Sequence, residues 1–262
     1  MTVPRFVHLH RSAMMLLALW LIYWCATRLK WDWLPLYWHN GLIQAGLRNT
    51  VLIFAISWTA GLLLGTLLGL AQAIGPIYAA APSRVYCTIM RGTPLLLQLW
   101  LIYFGLGSLF PQIPWIRNSG AWVYLREGWP FAVLSLSLCF AAYEGEVLRG
   151  ALRSVPKGQL EAAKAFGMSP SMQLRRVWLP QAFHLALPTL GGDAILLLKS
   201  TPLVATVAVK DLFFVSDQVR QDTFIVYEPL IALAVMYVFF AGIVALCFRW
   251  LERRVPNRSL GG

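Results

Sequence analysis

Charge is scarce in this chain, and negative charge scarcest. Its 262 residues include 11 Asp and Glu against 22 Lys and Arg, and charged residues make up 13% of the whole. A soluble domain carries about 25%. So few charges cannot clothe a water-soluble globule whose hydrophobic fraction is 58%. The long charge-poor runs place the chain in a bilayer. Cysteine is also sparse. Cys25, Cys87, Cys139 and Cys247 form no Cys-x-x-Cys pair and lie in or beside apolar runs. They read as small buried hydrophobes rather than metal or redox centres. His8, His10, His39 and His184 offer no spacing that would hold a metal. Three catalytic signatures are missing: the phosphate-binding Gly-x-x-x-x-Gly-Lys-Ser/Thr loop, the Gly-x-Ser-x-Gly elbow and His-Glu-x-x-His. The chain therefore binds no ATP by the first route, and energy for any work must come from elsewhere. The basic excess is not a nucleic-acid face, because Lys and Arg cluster at the ends of apolar runs, as membrane topology requires.

Six helical spans are expected, at about 12–28, 47–73, 85–108, 130–150, 182–208 and 226–250. The first follows Arg5 and Arg11 and resembles a signal peptide. It lacks a small-x-small cleavage pattern and runs into Arg28, so an uncleaved span is preferred. The second carries Gly61, Gly65 and Gly69, a four-residue spacing that lets helices approach closely in lipid. In the third, Pro94 drives Thr93 out of helical conformation and Gly92 permits a bend, so the helix breaks at Arg91-Gly92-Thr93-Pro94. The fifth is expected to be interrupted by Pro188, Gly191, Gly192 and Pro202. Trp31, Trp33, Tyr37 and Trp38, with Trp115, Trp122, Tyr124 and Trp129, read as anchors at the outer headgroup level.

Between the fourth and fifth spans lies a polar insert, residues 154–180. Pro156 suits the first turn of a helix. Lys157, Glu161 and Lys164 fall at helical spacing and support each other weakly. Gly167 suits a left-handed C′ position. Ser169-Pro170 reads as an N-cap followed by the first helical residue. Leu174, Val177 and Trp178 form the apolar face of a second helix, which Pro180 breaks or kinks at the membrane. A helical hairpin set between spans is a surface shown to a partner. With the hairpin in the cytoplasm, the basic bias puts both chain termini there too.

The ionisable groups at membrane depth are few and stand out. Asp193 and Lys199, at i and i+6 in the fifth span, line a pathway or pair within the bundle. Tyr143, Glu144 and Glu146 close the fourth span, with Arg149 and Arg153 following. For Glu146 two readings stand: a substrate or gating contact, or an anchor held by Arg149.

Glu161-Ala162-Ala163, then Gly167, then Leu179-Pro180, resembles the EAA loop of permease subunits of bacterial ABC importers. Further matches point to the polar amino acid (histidine/glutamine-type) subgroup. They are Arg91-Gly92-Thr93-Pro94-Leu95-Leu96-Leu97-Gln98, Ala142-Tyr143 with Glu146 and Arg149-Gly150, Ser154-Val155-Pro156-Lys157-Gly158-Gln159, Leu179-Pro180-Gln181-Ala182 and Lys199-Ser200-Thr201. The resemblance covers about 41–254. It implies an all-α integral membrane protein: a five-helix type I importer core preceded by one extra N-terminal transmembrane helix. The expected organisation is an N-terminal helix and outer interfacial segment over 1–40, a permease domain over 41–254 with its coupling loop at 151–180, and a cytoplasmic tail over 255–262.

The resemblance also implies partners: two ABC ATPase subunits, a second permease of the same or a sister chain, an outer amino acid-binding protein, a polar amino acid substrate and membrane lipid. It implies no catalytic residue, cofactor, metal or nucleic acid. Gly158, Glu161, Ala162, Ala163 and Gly167 would couple to the ATPase. Tyr143, Glu146, Asp193, Lys199 and Thr201 would line the substrate pathway. The setting is a bacterial inner membrane. Two departures fall in the fifth span: the family commonly has an Asn near where this chain has Gly192-Asp193, and a Ser where it has Pro202. The competing readings are an ion-coupled secondary transporter, built on Asp193 and Lys199, and a non-transporting membrane scaffold.

Overall fold

The computed structural model describes residues 14–17, 19, 20, 23, 27 and 31–254. The termini, most of the expected first span and the tail over 255–262 lie outside the described residues. Among the latter the architecture is all-helical. Eight principal helices follow: α1 (Asn40–Ile74), α2 (Ile77–Gly92), α3 (Leu95–Gln112), α4 (Gly128–Ser154), α5 (Lys157–Ala165), α6 (Pro170–Val207), α7 (Leu212–Thr223) and α8 (Tyr227–Arg254). Five of them, α1, α3, α4, α6 and α8, are long and apolar enough to cross a membrane. These spans are 18 to 38 residues long.

The seam of the bundle is glycine. Gly61, Gly65 and Gly69 are buried along α1 and face α4. A Cβ on Gly65 would stand 3.0 Å from the Ala141 carbonyl, and one on Gly69 would stand 2.9 Å from the Gly145 carbonyl. The contacts advance together along both chains, so α1 and α4 run parallel. The close approach expected from the glycine spacing is present. Parallel neighbours need a crossover, which α2 and α3 supply.

The chain breaks where Arg91-Gly92-Thr93-Pro94 foretold. Thr93 is extended (φ −109°, ψ 144°). The Gln98 amide closes the gap by reaching the Met90 carbonyl at 2.7 Å and the Thr93 hydroxyl at 2.7 Å. Without that amide the last carbonyls of α2 would lose a partner. The single span expected over 85–108 is therefore two helices, and α2 contributes no span of its own. The span expected from 47 begins at Asn40, because no proline or glycine pair stops the helix in that stretch.

The expected interruption of the fifth span needs correction. Helix α6 passes through Pro180, Pro188, Gly191 and Gly192 without a break. A π-turn over Leu174–Trp178 precedes Pro180. Its wider winding accommodates a ring that would otherwise crowd the carbonyl one turn back. Gly191 is a packing residue: a Cβ there would meet the Phe248 ring of α8 at 3.0 Å. Only Pro202 changes the winding, opening a 3-10 stretch over Thr201–Val207 that ends at Ala208 in left-handed conformation (φ 58°).

Two buried clusters hold the bundle. One groups Ile53, Leu99, Leu136, Phe140, Leu197 and Val204. The other, nearer the hairpin, groups Leu148, Leu152, Val155, Ala182 and Leu190. At the opposite end Thr50 accepts the Leu212 amide at 2.9 Å and Asn49 donates to the Lys210 carbonyl at 2.9 Å, fixing α7 to α1. Glu228 at the head of α8 accepts the Asp32 amide at 2.6 Å. Helix α8 then returns along α6, so Arg254 lies at the hairpin end.

Candidate functional site: the hairpin and the polar cluster beside it

Helix α5 ends in a complete Schellman motif. Gly167 is left-handed (φ +75°), its amide reaches the Lys164 carbonyl at 2.9 Å, and the Met168 amide reaches the Ala163 carbonyl at 3.1 Å. Ser169 then caps α6 by accepting the Met172 amide at 3.4 Å. The Gln173 amide ties the second helix to the Met168 carbonyl at 2.8 Å. The Trp178 indole donates to the Leu152 carbonyl at 2.7 Å, clamping the hairpin to the end of α4. A push on this hairpin is thus delivered to α4 and α6 together.

Of the expected coupling residues, Gly158, Glu161, Ala162 and Gly167 are exposed, while Ala163 is buried inside the hairpin. Ala163 therefore serves the packing of the hairpin, and Ala162 alone of the pair faces outward. The expected support among Lys157, Glu161 and Lys164 is absent as ion pairs among the described residues, as suits exposed side chains that lose entropy on pairing. Phe166, at the tip, is 85% exposed. The sequence pattern gave no reason to select it.

One helix turn and more into the bundle lies a polar cluster. Glu146 accepts from Arg149 at 2.6 Å and pairs with Arg91 at 3.6 Å. The Arg91 guanidinium also lies over the Tyr143 ring, 5.6 Å from its centroid. A cleft of about 290 Å³ opens here, lined by Gln72, Arg84, Thr88, Arg91, Glu146, Arg149 and Arg153. Asp193 of α6 is half-buried, and its Oδ2 makes no hydrogen bond. Glu144 is fully buried, and neither carboxylate oxygen makes a hydrogen bond.

The structure brings Tyr143 and Glu146 to Arg91, while Asp193 forms no ion pair among the described residues. It leaves Lys199 and Thr201 elsewhere. Lys199 is exposed and forms no ion pair with Asp193. Six residues turn a helix by 240°, so the two side chains leave on different faces. Thr201 is buried and its hydroxyl lies 3.0 Å from the Tyr237 hydroxyl of α8. Gln72, Arg84, Thr88, Arg91, Arg149 and Arg153 are the cleft members that the sequence did not select as site residues. Arg91 had a signal in the Arg-Gly-Thr-Pro break, and Arg149 and Arg153 in their helical spacing from Glu146.

Across the bundle from the hairpin, α7 and its N-cap Asp211 carry two titrating groups outside the spans. The Arg220 guanidinium, 2.6 Å away, holds the Asp217 carboxyl below its ordinary range. Burial pushes the Asp211 carboxyl up to about 7 although it accepts the Phe214 amide at 2.8 Å.

Five spans, two of them packed on a glycine seam, with an exposed hairpin clamped to two of the five, define a membrane-embedded transport subunit with no phosphate-binding loop of its own. Residues 61–257 match the family model described as binding-protein-dependent transport system inner membrane component. The chain belongs to that family, the transmembrane component of ABC transporters. It is a multi-pass inner membrane protein and not an enzyme; ATP hydrolysis resides on a separate subunit. The family works with ATPase and binding-protein partners.

The chain is 34% identical over 224 residues to the octopine transport system permease protein OccM of Rhizobium meliloti, covering 83% of this chain and 90% of that one. It is 33% identical over 225 residues to the histidine/lysine/arginine/ornithine transport system permease protein HisM of Escherichia coli K12, covering 85% and 92%. Among solved structures, an amino acid ABC transporter crystallised with histidines matches with a TM-score of 0.73 and 30% identity, covering 87% of this chain and all of that one.

Proposed function

We propose that this chain forms the translocation pathway of an ATP-driven importer for polar amino acids. It acts as a pair, with a second copy or with a sister permease. The hairpin faces the cytoplasm and docks on the ATPase, and a binding protein delivers substrate to the α7 end. Both chain termini then lie in the cytoplasm.

The observation that carries this reading is the hairpin: exposed at Gly158, Glu161, Ala162 and Gly167 and clamped to α4 and α6 by Trp178 and the short link to α5. Closure of two ATPases would move the hairpin, and the clamp would tilt α4 and α6 between two arrangements of the pathway. We assign Tyr143, Glu146 and Asp193 to that pathway; Lys199 and Thr201, set apart from them, are left to the packing of α6. An amino acid brings both charges to low dielectric, and each needs a partner. Glu146 and Asp193 suit its ammonium group, and Arg91 suits its carboxylate. The names of the relatives, which carry octopine or histidine, lysine, arginine and ornithine, support an amino acid cargo.

The test is reconstitution with the ATPase and binding protein in vesicles holding ATP, followed by uptake of labelled amino acids. Uptake that needs ATP and all three components is expected. Uptake by this chain alone on an ion gradient would replace the reading with that of a secondary transporter. The separation of Asp193 from Lys199 removes the main support for that alternative.

A further inference from the structure

The cleft between α1, α2 and α4 has more cation than its own residues use. Four guanidinium groups, those of Arg84, Arg91, Arg149 and Arg153, face one carboxylate, Glu146. Arg149 and Arg91 already share that carboxylate. Arg84 and Arg153 form no ion pair among the described residues, and Arg153 reaches only the Gln72 carbonyl, at 3.5 Å. A concave site with unspent arginines is a site for a doubly accepting anion, and planar guanidinium forks match phosphate oxygens.

Two further observations say which anion. The first is depth. Arg153 stands one residue before the end of α4 and Gln72 two before the end of α1. The cleft therefore opens where spans leave the hydrocarbon. The second is the surface beside it. On α2, Arg84, Thr88 and Arg91 form a polar ridge with two cations, at i, i+4 and i+7. Val85 and Ile89, each one residue further on, form an apolar ridge that is 58% and 56% exposed. A cationic strip flanked by an exposed apolar strip fits an amphiphile, whose headgroup and chains need both. Free phosphate would use only the first.

We propose that this cleft binds the phosphate of an anionic phospholipid at the hairpin end of the bundle, with its acyl chains along Val85 and Ile89. The lipid phosphate would bridge α2 and α4 through Arg84 and Arg153, beside the Arg91–Glu146 pair that already joins the two helices and that stays with the substrate pathway. Basic clefts between helices at the membrane surface recognise anionic headgroups in this way.

The experiment uses the permease purified together with its ATPase in detergent and stripped of lipid. Native mass spectrometry follows titration with phosphatidylglycerol, phosphatidylcholine or inorganic phosphate. The wild type should bind phosphatidylglycerol, and the Arg84→Gln/Arg153→Gln double variant should bind it about tenfold more weakly. Phosphatidylcholine should bind weakly to both, and millimolar phosphate should not displace phosphatidylglycerol. The Arg84→Lys/Arg153→Lys variant keeps the charge but not the fork and should recover part of the binding, which separates loss of the site from loss of the fold. Equal phosphatidylglycerol affinity in the wild type and an intact glutamine variant would overturn the proposal. So would equal binding of the two lipids. Displacement by inorganic phosphate would assign the cleft to a free anion and overturn the lipid.

Discussion

Gly65 of α1 and Glu144 of α4 are in backbone-to-side-chain contact: a Cβ on Gly65 would stand 2.8 Å from the Cβ of Glu144. The same added carbon would press the Ala141 carbonyl and the Gly145 amide, each 3.0 Å away. Backbone atoms of a packed helix cannot step aside as a flexible side chain does. Gly65→Val is therefore expected to destabilise the protein by about 1–3 kcal/mol, the usual range for overpacking. Gly192→Ala, with nothing within 4 Å, should be neutral or stabilising because it favours the helix. Thermal unfolding of the purified protein checks both, and equal midpoints for the two variants would refute the seam.

Much of this fold is legible in the sequence, and the reasons differ by residue. The glycine seam, the break before Pro94 and the turn at Gly167 are local constraints, each imposed by a backbone that only certain residues allow. Pro188 shows the limit. Local rules say it breaks a helix, yet packing on both sides of α6 keeps the helix whole. Helix α7 was unforeseen because its anchors, Thr50 and Asn49, lie more than 150 residues earlier in the chain. The cleft was hidden for the same reason: Gln72, Arg84 and Arg153 come together only through the crossover. Asp193 and Lys199, close along the sequence, are parted by helical geometry.

Gly167→Val should damage coupling more than folding. A branched residue at φ +75° costs on the order of 1–2 kcal/mol, and the turn it distorts sets the angle of the exposed hairpin. In the reconstituted importer, ATP hydrolysis should persist while uptake falls. Gly158→Ala is exposed and in open space, so any defect it causes reports contact with the ATPase rather than strain. Normal uptake by Gly167→Val would remove this turn from the coupling path.

The two arginines on Glu146 should differ in worth. Arg149 holds it at 2.6 Å and is about one-third exposed; Arg91 stands at 3.6 Å and is nearly half exposed. Double-mutant cycles with Glu146→Gln should give a coupling of about 0.2–1 kcal/mol for Arg91, and a larger one for Arg149. A larger coupling to Arg91 would mean that the closer hydrogen-bonded geometry does not govern this cluster.

Asp211 should make stability depend on pH in an unusual direction. Burial raises its carboxyl to about 7 from an ordinary value near 3.8. The folded state thus holds a proton that the unfolded state has lost. The resulting stability is fully present below about pH 4, declines as pH rises toward 7, and is gone above it, a change on the order of 4 kcal/mol over the window. Asn at this position keeps an oxygen to accept the Phe214 amide but cannot ionise. Asp211→Asn should therefore flatten the fall in unfolding midpoint between pH 5 and pH 7.5. Thr50, which accepts the neighbouring Leu212 amide, cannot ionise and leaves the wild-type slope to Asp211. An unchanged slope in Asp211→Asn would place the titrating group elsewhere.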